Sequence, residues 1–264
     1  LAWGGSMRLS PADDLLIQVE RALGIDSEGQ LIASVLSKKI AAGATHVLID
    51  IPVGTTAKVR TTAAAEQLAT SFHSVAEKLG LNIETLFSDG SQPVGRGIGP
   101  ALEAYDILAV LQNNPNAPID LKNRACMVAG AMLEMINHEK KGNGHKKALS
   151  ILESGQAWEK FKAICHAQGG LHMPPVAPYR YSLVCHHAGV VVEIDNRQLA
   201  QIAKLAGAPA DPEAGVEFFV KLGEHVEENQ ILMTIHAANA GELNYAVEYL
   251  EDHQNMIRID KAKK

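Results

Sequence analysis

The stretch SDGSQPVGRGIGP, residues 88–100, joins a predicted strand to a predicted helix and contains four glycines. Glycine tolerates positive φ and leaves room for the close approach of a ligand or of another stretch of backbone. Pro100 suits the first position of a helix, and a helix N-terminus can bind an anion. The glycine spacing matches neither a dinucleotide-binding fingerprint nor a P-loop. The loop therefore predicts either a tight connection or an anion site, and its residues alone favour neither.

The segments on either side of this loop indicate an α/β fold. Short apolar runs that read as strands alternate with segments of helical periodicity, and a capping box opens the first helix. This alternation favours a largely parallel sheet, whose ligands bind beyond the carboxyl ends of the strands. The predicted strands are 45–51 and 82–87, and the predicted helices are 27–43, 62–78 and 100–113.

The pattern changes near a segment rich in glycine and proline, GGLHMPP at 169–175. Before it, residues 118–168 read as helices, interrupted by one solvated turn. After it, four short strands surround a helix near 198–206, and a last helix follows. We therefore predict an α/β portion over 45–170 and a small α+β domain over 171–264.

The composition excludes several classes of function. The 264 residues are 47% hydrophobic and carry a net charge of -6, which predicts a globular protein without affinity for nucleic acid or anionic membranes. No apolar run is long enough to span a bilayer. The three cysteines contain no CxxC pair and indicate neither disulfides nor zinc, which favours a cytoplasmic setting. The pair His186-His187 lacks the spacing of a metal site, so no metal is predicted.

Three positions could meet a polar ligand. Ser34 and Lys38 are four residues apart on one helix and share a face, so they could clamp a polar heterocycle. The competing interpretation is a solvated stripe on an ordinary amphipathic helix. Lys58 follows the first strand, where a cation could meet a ligand or simply face solvent.

Several blocks of sequence, in order and spacing, resemble the thymidine and pyrimidine-nucleoside phosphorylase family. The motif GRGIGP is most similar to the branch shared by type 2 thymidine phosphorylases and archaeal AMP phosphorylases. Residues 189–236 resemble the small C-terminal domain of the family. The other blocks are ASVLSKK at 33–39, VLIDIPVG at 47–54, SQPVG at 91–95 and ALEA at 101–104.

The resemblance implies an α/β fold: part of a nucleoside phosphorylase catalytic domain with a mostly parallel mixed sheet, followed by a small α+β domain. It also implies phosphorolysis, in which phosphate attacks C1′ of a pentosyl group and the base departs. Thymidine is the expected substrate, and AMP, giving ribose 1,5-bisphosphate, is the alternative. Inorganic phosphate is then a co-substrate, and no cofactor is expected.

The resemblance also assigns residues. Ser34 and Lys38 would hold the base, and Lys58 matches a substrate-binding lysine of the AMP phosphorylase branch. Asp26 matches the proton donor of that branch, a role that requires a pKa raised by burial or by a nearby negative charge. Arg21 is the candidate for the arginine that contacts the base, although its spacing to Ser34 differs from that of the thymidine enzymes.

The family's phosphate-binding loop would precede Leu1. We therefore expect a C-terminal fragment that retains a remnant of the helical lobe at 1–44 and shows no phosphorolysis alone. The full-length protein is expected to form a homo-oligomer, as a homodimer through that lobe.

A different class of function also stays open. Residues 215–232 have the rhythm of a lipoyl or biotinyl carrier module, in which a lysine at a hairpin tip is modified. Lys221 would be that lysine, although it precedes Leu-Gly-Glu instead of lying beside Met or Asp.

Overall fold

The computed structural model describes residues 9–11, 13, 15–16 and 27–261. The elements follow one another as α1 (Glu28–Ala41), β1 (His46–Val53), α2 (Thr62–Lys78), β2 (Asn82–Asp89), β3 (Gly97–Ile98), α3 (Pro100–Leu111), α4 (Ile119–Met135), α5 (Gly144–Glu153), α6 (Gln156–Ala167), β4 (Tyr179–Val184), β5 (Gly189–Ile194), α7 (Asn196–Leu205), β6 (Gly215–Phe218), β7 (His225–Val226), β8 (Ile231–Ala237), α8 (Ala240–Asp252) and β9 (Ile257–Asp260).

The first layer is built around a parallel strand pair. β1 and β2 pair in register from His46 opposite Asn82 to Val53 opposite Asp89, as the strand and helix alternation predicts. The N-cap predicted at Ser27 is also confirmed, because the Ser27 hydroxyl accepts a hydrogen bond from the Gln30 amide at 3.4 Å. The reciprocal half of the capping box is not formed among the described residues, and the Gln30 side chain donates to Asp13 instead. α1 and α2 pack on the pair, and the shared core includes Ile32, Leu36, Val47, Ile51, Phe72 and Ile83.

Helices α3 to α6 form a second layer with a smaller core of its own. α4 and α5 approach closely where Gly130 faces Gly144: a Cβ on Gly144 would lie 2.1 Å from the carbonyl oxygen of Gly130. Arg124 on α4 joins this layer to the strand pair through the Asp50 carboxylate on β1, at 3.1 Å.

The C-terminal part contains two antiparallel sheets and the largest core. One sheet has the order β3-β6-β8-β4, and the other has the order β7-β5-β9. α7 and α8 supply the buried helical side chains Leu199, Ile202, Ala246 and Leu250. The α/β class with both parallel and antiparallel strand pairing, and with an α+β C-terminal part, is therefore confirmed.

The packing crosses the boundaries predicted from composition. α1, placed in a separate remnant by the sequence, shares its core with β1, β2 and α2. β3 lies well before residue 170 but pairs with β6, with Gly97 opposite Glu217. The strand is only two residues long and carries no apolar alternation, so periodicity could not reveal it. Its partner is more than a hundred residues away in sequence.

Gly99 shows why this crossing needs glycine. Its φ is 132°, and a Cβ there would lie 2.4 Å from the carbonyl oxygen of Ala214. Gly97 is similarly enclosed, since its Cβ would lie 2.3 Å from the carbonyl carbon of Leu102. The alternating glycines therefore allow backbone to pack against backbone.

We predict that Gly99→Ala destabilises the fold by about 2 kcal/mol or more, because strain and a backbone clash add together. The matched control is Gly155→Ala: Gly155 also has a positive φ, 80°, but a Cβ there meets nothing within 4 Å. That control should lose only about 1 kcal/mol, from backbone strain alone. Thermal melting of both variants measures the difference, and equal losses would contradict the enclosure of Gly99.

Candidate functional site

A polar stripe runs along α1. Gln30, Ser34 and Lys38 are spaced by four residues and therefore lie on one face. Ile32 and Leu36 are buried in the core below the helix. The sequence prediction that Ser34 and Lys38 share a face thus agrees with the structure.

The stripe converges on one carboxylate, that of Asp13. The Ser34 hydroxyl donates to Asp13 Oδ2 at 2.8 Å, and Lys38 Nζ lies 2.7 Å from the same oxygen. Gln30 Nε2 donates to Asp13 Oδ1 at 3.2 Å. Asp13 is 5% exposed, so the carboxylate is removed from water and is compensated by these three donors.

These contacts keep Asp13 ionised. Burial alone would raise the pKa of Asp13, but the hydrogen bonds from Lys38, Ser34 and Gln30 together hold that pKa below its ordinary value. At neutral pH the carboxylate therefore accepts hydrogen bonds and donates none.

Sequence reasoning does not single out Asp13, which lies in the segment Pro-Ala-Asp-Asp and is 21 residues from Ser34. The only signal in the sequence was the polar stripe of α1, whose serine and lysine would be paired with an acceptor if the stripe were buried and with water if it were exposed. Nothing in the sequence says which acidic residue supplies it.

Of the other three predicted site residues, the structure describes only Lys58. Lys58 is exposed in the turn after β1, on a different element from the stripe. Arg21 and Asp26 lie outside the described residues. The structure therefore brings Ser34 and Lys38 together, while the roles assigned to all five residues stay predictions.

The carboxyl ends of β1 and β2 are packed against the C-terminal part. Gly54 and Gly90 touch directly, because a Cβ on Gly54 would lie 2.4 Å from the carbonyl carbon of Gly90. Asn196 Nδ2 donates to the Gly90 carbonyl at 2.9 Å. The Thr56 hydroxyl donates to the Ile194 carbonyl at 3.4 Å. This edge of the sheet is thus occupied by protein contacts.

Backbone amides of the glycine loop are hydrogen-bonded to carboxylates of the protein itself. The amides of Arg96 and Gly97 donate to Asp106 Oδ2 at 2.6 and 2.8 Å. The Gly95 amide donates to Asp120 Oδ2 at 3.2 Å. Carboxylates of the protein itself therefore occupy the place that an external anion would need, and the loop serves as a connection.

The start of α3 is satisfied in the same way. The Gly99 amide donates to Glu103 Oε1 at 3.1 Å, and the Ala101 amide donates to the Pro212 carbonyl at 2.9 Å. At the helix N-terminus that the sequence offered as an anion site, these two amide donors are therefore paired with protein groups.

Lys221 links the loop to the C-terminal part. Its Nζ donates to the carbonyls of Pro93 and Gly95 at 3.0 and 2.9 Å, and it lies 2.7 Å from Asp120 Oδ2. A carrier lysine must reach into solvent to be modified, whereas the Lys221 ammonium donates its hydrogen bonds to acceptors within the protein. This geometry disfavours the carrier hypothesis.

A cavity of about 180 Å³ lies between α3 and the β3-β6-β8-β4 sheet. His236 is 5% exposed and lines it, and its Nε2 lies 3.6 Å from Glu217 Oε2. Proximity to His236 holds the pKa of Glu217 below its usual value, although burial acts in the opposite direction. Arg180 also lines this cavity.

The described residues contain neither a metal-binding cluster nor a membrane-spanning helix. Within that part of the chain, no group of three or more His, Cys, Asp and Glu side chains could hold a metal ion. None of the described helices has both the length and the apolar character needed to cross a membrane.

The sequence matches known proteins over nearly all of its length. A protein named "Putative thymidine phosphorylase" from Hahella chejuensis is 56% identical over 261 residues, which is 99% of this chain and 52% of that protein. Proteins of the same name from Parvibaculum lavamentivorans and Tolumonas auensis are 55% and 54% identical over 260 residues, covering 98% of this chain and 52% of each protein. Residues 190–256 match the pyrimidine nucleoside phosphorylase C-terminal domain.

The chain is thus similar over nearly all of its length to proteins named for thymidine phosphorylase, and its residues 190–256 match the C-terminal domain of pyrimidine nucleoside phosphorylases. It spans about half the length of the curated relatives it matches. The matched residues 190–256 include nearly all of β5 and the whole of α7, β6, β8 and α8. The matched domain therefore contains most of the largest hydrophobic core of the protein.

We predict that Lys221→Met lowers the free energy of unfolding of this protein by about 1–2 kcal/mol, because Asp120 and two loop carbonyls lose their shared donor. The control, Lys160→Met, removes an exposed lysine at the surface of α6. Thermal melting and amide hydrogen exchange of residues 91–97 measure the effect. If both variants melt alike and exchange in the loop is unchanged, Lys221 does not hold the loop.

Proposed function

We propose that this sequence provides the base-binding side of a thymidine phosphorylase, a pentosyltransferase that converts thymidine and phosphate into thymine and 2-deoxyribose 1-phosphate. The observation that carries the proposal is the convergence of Ser34 and Lys38, the two residues assigned to the base by the family resemblance, on one buried carboxylate. The names of the relatives support the same activity.

The chemistry explains why such residues are needed. Phosphate attacks C1′ and the bond from C1′ to the base nitrogen breaks, so its electron pair passes to the base. Donors held against the base stabilise that developing negative charge. Lys38 is an ammonium on a fixed helix, 34% exposed, and it supplies such a donor.

The remaining assignments complete the proposal. Arg21 contacts the base, Lys58 binds substrate, and Asp26 donates a proton to the departing base if its pKa is raised in the closed site. We further propose a cytoplasmic enzyme that works as a homo-oligomer, uses phosphate as co-substrate and needs no cofactor.

The second candidate is a phosphorylase of nucleoside 5′-monophosphates such as AMP. The feature that favours it is the match of Asp26 and Lys58 to that branch of the family. Thymidine stays the first candidate because the curated relatives carry its name.

The test uses a chimera in which these 264 residues replace the matching part of the Hahella chejuensis relative, with the 264-residue chain assayed beside it. Thymidine, uridine, AMP and CMP are each supplied with phosphate, and released base and sugar phosphate are separated by chromatography. We expect the chimera to cleave thymidine and the 264-residue chain alone to cleave none of the four.

Within the chimera, Lys38→Met should lower kcat/KM for thymidine by about 100-fold, because a charged donor to the base is lost. Lys39→Met is the matched control: Lys39 is adjacent and exposed but lies off the stripe, and it should change kcat/KM little.

Two results would overturn the proposal. Turnover of AMP without thymidine would establish the second candidate instead. A chimera without turnover of any of the four, beside an active parent relative, would remove the phosphorylase assignment from these residues.

A further inference from the structure

We propose that Asp13 is a positioning residue that fixes the Ser34 hydroxyl as a hydrogen-bond acceptor toward the base. This inference rests on the proposed function and deepens it. It makes the clamp of α1 selective for nucleosides whose base has a ring N–H between two carbonyl groups.

The argument begins with the hydrogen on Ser34. A hydroxyl has one hydrogen and two lone pairs, and Ser34 donates its hydrogen to Asp13 Oδ2 at 2.8 Å. An ionised carboxylate can only accept, so this bond cannot run in the opposite direction. Ser34 is partly exposed, and toward a ligand it presents only lone pairs.

Lys38 presents the opposite polarity beside it. Its ammonium carries three donors, and Asp13 Oδ2 takes one of them at 2.7 Å. The side chain is 34% exposed, so the other donors can reach a ligand. One buried carboxylate thus sets an acceptor and a donor side by side, one helical turn apart.

This polarity complements thymidine. In thymidine N1 carries the sugar, so N3–H is the single N–H of the base and is flanked by two carbonyl oxygens. Ser34 accepts from N3–H, and Lys38 donates to a flanking carbonyl. In deoxycytidine N3 has a lone pair and no hydrogen, so in the same pose it would face the lone pairs of Ser34.

Without Asp13 the selection disappears. A serine hydroxyl free to rotate can donate to N3 of cytosine as readily as it accepts from N3–H of uracil. Asp13 therefore affects which base is accepted more than how tightly the helix holds any base.

The experiment compares 2′-deoxyuridine with 2′-deoxycytidine in the chimera described above, because these nucleosides differ only on the edge that Ser34 reads. We expect the ratio of their kcat/KM values to favour deoxyuridine by about tenfold or more, from one unpaired polar contact. In Asp13→Ala that ratio should fall by about tenfold. Asp13→Asn retains one acceptor oxygen and should keep most of the preference.

Gln30→Leu is the matched control. Gln30 binds the other oxygen of Asp13, at 3.2 Å, so this variant perturbs the cluster without freeing the Ser34 hydrogen. The deoxyuridine to deoxycytidine ratio should stay at its starting value.

The outcomes separate the two proposals. If Asp13→Ala slows both nucleosides equally and leaves the ratio unchanged, Asp13 has only a structural role and this inference is overturned while the proposed function stands. A chimera that cleaves neither thymidine nor deoxyuridine overturns the proposed function and this inference with it. A collapsed ratio in Asp13→Ala, restored in Asp13→Asn, supports both.

Discussion

The contacts of the Lys221 ammonium fix the glycine loop, through which the helical layer meets the C-terminal sheets. This ammonium neutralises Asp120 and satisfies two carbonyls of the glycine loop. With the loop fixed, β3 can pair with β6 and α3 can start against the Pro212 carbonyl. One partly buried cation thus joins the helical layer and the C-terminal sheets.

A lysine is also paired with an aspartate on α1, as it is at the glycine loop. In the glycine loop the amides of residues 95, 96, 97 and 99 are hydrogen-bonded to carboxylates of the protein itself, whereas on α1 the buried Asp13 takes one hydrogen bond from Ser34 and one from Lys38. Both side chains remain partly exposed to solvent, and each keeps hydrogen-bonding groups that Asp13 does not use. The stripe of α1 therefore keeps hydrogen-bonding groups available, although the loop is the more conspicuous feature of the sequence.

Patterns within short stretches of sequence predict much of the fold. The helix predicted at 62–78 has those bounds in the structure, and the cap at Ser27 is present, because both depend on neighbours within a few residues. The pairing of β3 with β6 and the contact of Asp13 with Ser34 link distant segments. Periodicity contains no information about such partners, so the anion-site interpretation stayed open until the partners of the loop amides were known.

Because β3 is a strand of the C-terminal four-stranded sheet, cleavage of the backbone would not by itself separate the two parts of the chain. Residues 169–173, which lead into the C-terminal part, are exposed and offer a protease an accessible substrate. A cut there would sever the covalent link, yet β3 would remain a strand of the C-terminal sheet. The two fragments would therefore stay associated in native buffer and separate only when the fold is denatured.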